Sequence, residues 1–442
     1  MFHLFVFNLS AVLSKLLAPS LKPLPPVEIV AWHEADVFRL PTDDSDLLAQ
    51  NTIDRYLKSL QQQGISPSRQ GVWLQSNWTE LASHQGNVPL SAASLTKIAT
   101  TLAAIDRLGI DRRFTTQVYH TGNIEAGTLR GDLIVVGDSD PFFVWEEAIA
   151  LANSLNALGI KRIEGNLLVS GKFYMNYQAD TFASAQLLFQ GLNPRLWSKE
   201  VRQQFATLPP DTPKPDLVII GKAKQSRLPQ SAKLLISHSS LSLTDILRAM
   251  NIYSNNYMAQ MLADLVGGGA EVAALASRIT NVPSSEIQLI NGSGLGIENR
   301  ISPRAAVKML VAIEAKLQPY GLSVADIFPV AGIDTTGTME NRNLPIGVAI
   351  KTGTLNNVSA LAGMIPLKED SCQDSPDCHR KIWFATINQG WQIERFRQEQ
   401  DNLLQQLQQQ WNRQNQSYTS AKGSKPFLGD PKRNQLHSES SL

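Results

Sequence analysis

Between residues 347 and 389 three strand-length apolar runs follow one another: "GVAIKTG", "SALAGMIPL" and "KIWFATINQ". Runs of this length in series read as a meander, and the apolar face of a meander needs something to cover it. The residues that follow supply a cover. Ile393, Phe396, Leu403, Leu404, Leu407 and Trp411 recur at helical spacing, so a C-terminal helix is expected to pack on the sheet.

Upstream, Asp46 to Gln63 has a helical pattern, and "QGVWLQS" and "TELASH" read as a strand pair split by a turn at Asn77. The stretch "SAASLTKIAT" then opens another helix that runs on through "TLAAIDRLG". From Phe114 the texture changes to short strands with Gly-rich turns, "GTLRGDLIVVGDSDPFF" and "IKRIEGNLLVSG", with one helix, "WEEAIALANSLNALG", between them. A Pro-punctuated segment ends this region in "PDLVIIGKA", and near Leu241 a long helical pattern returns. A β-rich insertion over 114–231 is therefore expected between two parts of another domain, 28–113 and 232–412. Past residue 412 the chain is polar and short of apolar residues, which predicts a disordered tail over 413–442. A chain of 442 residues with 43% apolar content buries a core large enough for two or three domains. Its 40 basic and 39 acidic side chains leave a net charge of +1, which gives no field to gather nucleic acid.

The first 27 residues read as a leader and linker. "MFHLFVFNLSAVLSKLLAPS" is apolar for about a dozen residues, the length of an export-signal core, and "KPLPP" is a stiff connection to the folded part. No basic residue precedes the apolar run and no small-x-small cleavage site follows it, so a cleaved signal and a retained anchor are both open. A retained anchor would give peripheral association with a membrane. The two cysteines, Cys372 and Cys378, have five residues between them in the polar segment "CQDSPDC". That spacing suits a loop disulfide in an oxidising compartment, ahead of free thiols; a zinc pair with His379 lacks further ligands nearby.

The chemistry is carried by three short segments. In "SAASLTKIAT", Ser94 and Lys97 are three residues apart on a helix, so the amine reaches the hydroxyl. A serine hydroxyl is inert near neutral pH, and a lysine accepts its proton only when burial or nearby cations lower its pKa from about 10.4. The surrounding Ala, Leu and Ile offer that burial. Alone, the pair is equally an N-cap and a surface lysine, since Ser-x-x-Lys arises by chance about once or twice in a chain this long. "YSNNYMAQ" adds Ser254 and Asn256 at a break between helical runs. "IKTGTL" adds Lys351, Thr352, Gly353 and Thr354 at a strand end, where the glycine admits a ligand backbone.

In this order, Ser-x-x-Lys, Ser-x-Asn and Lys-Thr-Gly form the signature of penicillin-binding proteins and serine β-lactamases. With "GTLRGDLIVVGDSDPFF", "SNNYMAQML", "NGSGLGIENRISP", "PVAGIDTTGT" and "KTGTLNNVSALAG", the chain resembles the D-alanyl-D-alanine carboxypeptidase/endopeptidases of the class C, low-molecular-mass penicillin-binding group. The match spans about 71–390, with little over 180–229. The resemblance implies an α/β (α+β) transpeptidase-like domain, its antiparallel sheet built from both chain ends and flanked by helices that include the Ser94 helix. It implies Ser94 as acylated nucleophile, Lys97 as its base and Ser254 as proton relay. Asn256 would bind the substrate backbone and hold Lys97. Lys351 and Thr352 would receive the terminal carboxylate, and the amides of Ser94 and Thr354 would form an oxyanion hole worth roughly 3 to 4 kcal/mol per donor.

What the resemblance implies for function is an exported serine peptidase of the periplasm or cell envelope. It would cleave D-alanyl bonds of peptidoglycan stem peptides, be acylated by β-lactams, and need no metal or cofactor. Two departures stand out: Asn291 opens "NGSGLG" where relatives usually carry an acid, and "TTGTM" is a loosened Gly-Thr-Leu stretch. Two other readings compete. One is a non-catalytic wall-binding or scaffold protein with a relic site. The other is a serine β-lactamase, in which Glu286 of "EIQLIN" would activate water, although its asparagine falls one place late for that loop.

Overall fold

The computed structural model describes residues 44–76, 79–367, 381–411 and 427–437. The chain divides at Leu47, and only the opening of the helix Asp44–Gln62 is described before that point. Everything below concerns Leu48–Leu442. The leader, Cys372 and Cys378 lie outside the described residues.

The meander is present. Strands Ala349–Leu355, Val358–Pro366 and Lys381–Gln389 pair antiparallel in sequence order, and the sheet continues through Gln70–Ser76 to Thr79–His84. It is thus built from both chain ends. Period-two alternation divides each strand between two cores. Val72, Leu74, Ile350, Leu361 and Phe384 face one way and bury Ile53, Leu57 and Leu60 of the first helix with Phe396, Leu403, Leu404 and Leu407 of the helix Ile393–Trp411. On the other face Ala349, Ala360, Ala362 and Ala385 share a core with Ala92, Ala93, Leu95, Ile98 and Leu102, and with Ala306, Met309 and Leu310 of the helix Pro303–Leu317. Helices on both faces make three layers. Small side chains at the alanine positions let the turn that carries Ser94 lie close over the sheet.

A second, six-stranded sheet runs in the order Ala223–Gln225, Leu167–Lys172, Leu133–Asp138, Thr115–His120, Lys233–Ser239, Asn434–Leu436. It has its own core, built from Val118, Leu133, Val135, Val169 and Ile236 and from Ile149 and Leu151 of the helix Trp145–Ala157. The strand Lys233–Ser239 pairs antiparallel with Thr115–His120, Ser239 opposite Thr115, so this sheet extends past the expected end of the insertion at 231. The returning chain closes the sheet by lying alongside the strand that entered it. Helices Thr181–Leu192 and Lys199–Phe205 occupy the Pro-punctuated stretch, capped by the side chains of Asp180 and Ser198.

Part of the expected tail takes up regular structure. Residues 427–437 are ordered: Asn434–Leu436 adds a strand to the second sheet, Ile236 opposite Leu436. Arg433 ion-pairs with the buried Glu147, and Asn434 Nδ2 donates to Ser154 Oγ at 2.9 Å. The segment is held by main-chain bonds and a buried charge, with Leu428 packed against the larger core, so its mostly polar composition gave little sign of it. No helix among the described residues is long and apolar enough to cross a membrane.

Candidate active site

Ser94 lies in the 3-10 turn Ala93–Leu95 that leads into the helix Thr96–Leu108. Neither element has a side-chain cap bond, so Ser94 is not an N-cap. Within Ser91–Thr100 it alone keeps partial exposure. Lys97 is 0% exposed, which removes the surface-lysine alternative. Its Nζ sits 3.1 Å from Ser94 Oγ, 2.7 Å from Asn256 Oδ1 and 2.6 Å from the backbone oxygen of Ser293.

The Ser-x-Asn segment reaches this point through a break between helices. Leu243–Tyr253 ends in Ser254 with φ 51° and ψ 39°, a left-handed conformation that costs a non-glycine residue about 1 kcal/mol or more. The next helix, Asn256–Leu265, starts at once, capped by Asn255 Oδ1 accepting from Met258 N at 3.0 Å. That sharp reversal turns Asn256 back onto Lys97. Lys351 arrives from the edge strand of the sheet. It too is 0% exposed, and its Nζ donates to Ser254 Oγ at 3.1 Å and to Thr352 O at 2.9 Å. A Cβ at Gly353 would stand 2.8 Å from Ala92 O and 3.1 Å from Ser94 N, so only glycine lets this strand lie against the Ser94 turn.

Neither lysine has a carboxylate within 4 Å among the described residues. Burial pushes the Lys97 amine down to about 7 from its usual 10.5. Lys351 is held well below its usual value by burial and then by the neighbouring Lys97 charge. A neutral amine against a serine hydroxyl can take up a proton near neutral pH, and the second buried amine, Lys351, lies within electrostatic reach of it. Ser94, Lys97, Ser254, Asn256, Lys351 and Gly353 thus meet in one cluster, although the three segments are far apart in the sequence. Thr354 stands at its rim, its hydroxyl accepting from Arg397 at 3.3 Å.

Residues that the motif reading passed over complete the cluster. The Ser293 carbonyl is the closest partner of Lys97, and the loop that presents it is tied down by Thr100 Oγ1 donating to Gly292 O at 2.7 Å and by Gly292 N donating to Gln260 Oε1 at 3.1 Å. "NGSG" marks this loop in the sequence, but a backbone oxygen has no residue identity from which a contact could be read.

A three-layer domain in which Ser-x-x-Lys faces Ser-x-Asn and Lys-Thr-Gly has the architecture of the penicillin-binding serine peptidases. The sequence profile of the D-Ala-D-Ala carboxypeptidase 3 (S13) family matches residues 50–185 and 216–414, and the chain belongs to that family. The gap between the matched segments falls within the stretch 180–229 that the motifs leave uncovered. The chain is 27% identical over 331 residues to carboxypeptidase DacB of Mycolicibacterium smegmatis, covering 65% of this chain and 70% of that one. In fold it is similar to the penicillin G-acylated predatory endopeptidase of Bdellovibrio bacteriovorus (TM-score 0.66, 21% identity, 81% of this chain and 96% of that one). It is also similar to penicillin-binding protein 4 of Haemophilus influenzae (TM-score 0.55, 20% identity, 76% and 96%).

Proposed function

We propose that this protein is a serine D-Ala-D-Ala carboxypeptidase that acts on peptidoglycan stem peptides through an acyl-enzyme, with D,D-endopeptidase action on D-alanyl cross-links within the same chemistry. The observation that carries this reading is a buried amine, with no carboxylate within 4 Å among the described residues, 3.1 Å from a serine hydroxyl. Ser94 Oγ bonds to the carbonyl carbon of the penultimate D-alanine as its proton passes to Lys97. The amides of Ser94 and Thr354 receive the developing oxyanion, and Asn256 binds the substrate backbone. The terminal carboxylate lies against Lys351 and Thr352. As the C–N bond breaks, the proton returns to the leaving amine by way of Ser254, and water then cleaves the Ser94 ester. No step calls for a metal or cofactor.

β-Lactams would acylate Ser94 by the same attack. The substrate places the protein outside the cytoplasmic membrane, in the periplasm or cell envelope, and the apolar leader would export it or tether it peripherally. We read 114–231 as an insertion bordering the cleft, where it would narrow substrate choice. The β-lactamase reading is disfavoured by Glu286, whose carboxylate accepts from Ser302 Oγ at 2.5 Å and ion-pairs with Arg304, leaving it engaged rather than free to activate water.

The test is release of D-alanine from an acyl-D-Ala-D-Ala peptide. Wild-type protein is expected to release it, and Ser94→Ala to lose at least about 10³-fold in rate. A well-folded wild type that releases no D-alanine would favour the scaffold reading.

A further inference from the structure

Lys97 has three oxygen neighbours, and they are not equivalent. Asn256 Oδ1 and Ser293 O can only accept, whereas the Ser94 hydroxyl also carries a proton. A neutral amine has two N–H groups and one lone pair. Two acceptor-only partners therefore take both hydrogens, and the lone pair is left for the Ser94 O–H. If the Ser293 carbonyl swung away, one N–H would be free to point at Ser94 Oγ and the lone pair would turn elsewhere.

The side chain of Asn291 decides where that carbonyl points. Its Oδ1 accepts from Gly294 N at 2.8 Å, from Ser293 N at 3.1 Å and from Ser293 Oγ at 3.0 Å. The Gly294 N–H and the Ser293 C=O belong to one planar trans peptide unit and point in opposite directions. Capturing the N–H on one side aims the C=O at Lys97 on the other. Asn291 is itself fixed, its Nδ2 donating to Leu295 O at 2.7 Å and its backbone N–H donating to Asn299 Oδ1 at 3.3 Å.

We propose that Asn291 is a positioning residue for the Ser94–Lys97 pair: by holding the 293–294 peptide plane it turns the Lys97 lone pair onto the serine hydroxyl. The inference rests on the proposed role of Lys97 as base. Among the described residues, Lys351 on the edge strand is the ionisable group that faces Lys97; the Asn256 helix and the 291–299 loop bring it an amide and a carbonyl.

The experiment is the rate of acylation by a fluorescent penicillin across the pH range, for wild type, Asn291→Ala and Asn291→Asp. Alanine removes the three accepting contacts. Its plateau rate should fall by about 10²-fold. Its rising limb should move to lower pH, because the Lys97 ammonium loses an acceptor. Aspartate keeps the acceptor oxygen and adds a negative charge, so its plateau should stay within about tenfold of wild type and its limb should move up by about one unit. Shifts in opposite directions are not expected of a merely structural loop residue. Limbs that stay at the wild-type pH in both variants would overturn the inference even if the rates fell. Should alanine fail to fold, Asn291→Leu, which also lacks the accepting oxygen, takes its place with the same expected fall and the same downward limb. A folded wild type that takes no label at any pH would overturn the base assignment, and this inference with it; labelled wild type with unmoved limbs overturns this inference alone.

Discussion

Lys97→Met is expected to slow acylation of Ser94 by roughly 10³-fold, at the level of a lost general base, while the protein remains folded. Two energetic effects oppose each other in this variant. The amine is 0% exposed and its pKa lies at about 7 rather than 10.5, so holding it as a cation costs the folded state on the order of 5 kcal/mol below pH 7. Methionine removes that cost but leaves Asn256 Oδ1 and Ser293 O without their donor, at roughly 1–3 kcal/mol each. Near neutral pH they offset, and the urea midpoint should move little. Between about pH 7 and 10.5 the unfolded chain still binds the proton that the folded protein has released, so wild-type stability rises with pH through this window. Below pH 7 both states hold the proton and this group adds no pH dependence. The acylation rate rises through the same pH as the base becomes neutral. Relative to Lys97→Met, wild type should therefore gain stability from pH 7 upward. An Lys97→Met protein that acylated at the wild-type rate would remove Lys97 from the mechanism.

Gly294→Ala should be nearly as damaging, for a steric reason. Gly294 has φ +83°, and a Cβ there would stand 1.9 Å from Ala93 O and 2.6 Å from Ala93 C. Those are backbone atoms of the turn that carries Ser94, so no side-chain rotation relieves the contact. Left-handed strain and overpacking each cost roughly 1–3 kcal/mol. Separating the loop from the turn also carries Ser293 O away from Lys97, and a displacement near 1 Å costs about 10²-fold in rate. Thermal unfolding and penicillin acylation measured together check both halves. Acylation at the normal rate in this variant would show that the loop does not control the pair.

The parts of the site that were legible in the sequence are those whose chemistry lives in side chains at fixed spacing. Ser94 and Lys97 are three residues apart, and Lys351-Thr352-Gly353 follows a strand-length apolar run, although the strand continues past it to Leu355, so residue type and local geometry together pointed to the cluster. What sequence could not show is the part made of backbone. The Ser293 carbonyl and the left-handed Ser254 arise from how loops are held, and neither follows from residue type. The sheet shows the same division. The meander and the helix Ile393–Trp411 followed from apolar period. The edge strand Asn434–Leu436 and the closing strand Lys233–Ser239 depend on main-chain pairing between distant segments, which leaves little trace in composition. In the tail, the deciding contact is one arginine meeting one buried glutamate.

The most direct test of the account is peptide mapping by mass spectrometry after incubation with penicillin. The adduct is expected on the peptide containing Ser94, at one equivalent per chain, and is expected to vanish in Ser94→Ala. A folded protein that carried no adduct, or carried it on another residue, would contradict the claim that the buried Lys97 amine makes Ser94 a nucleophile.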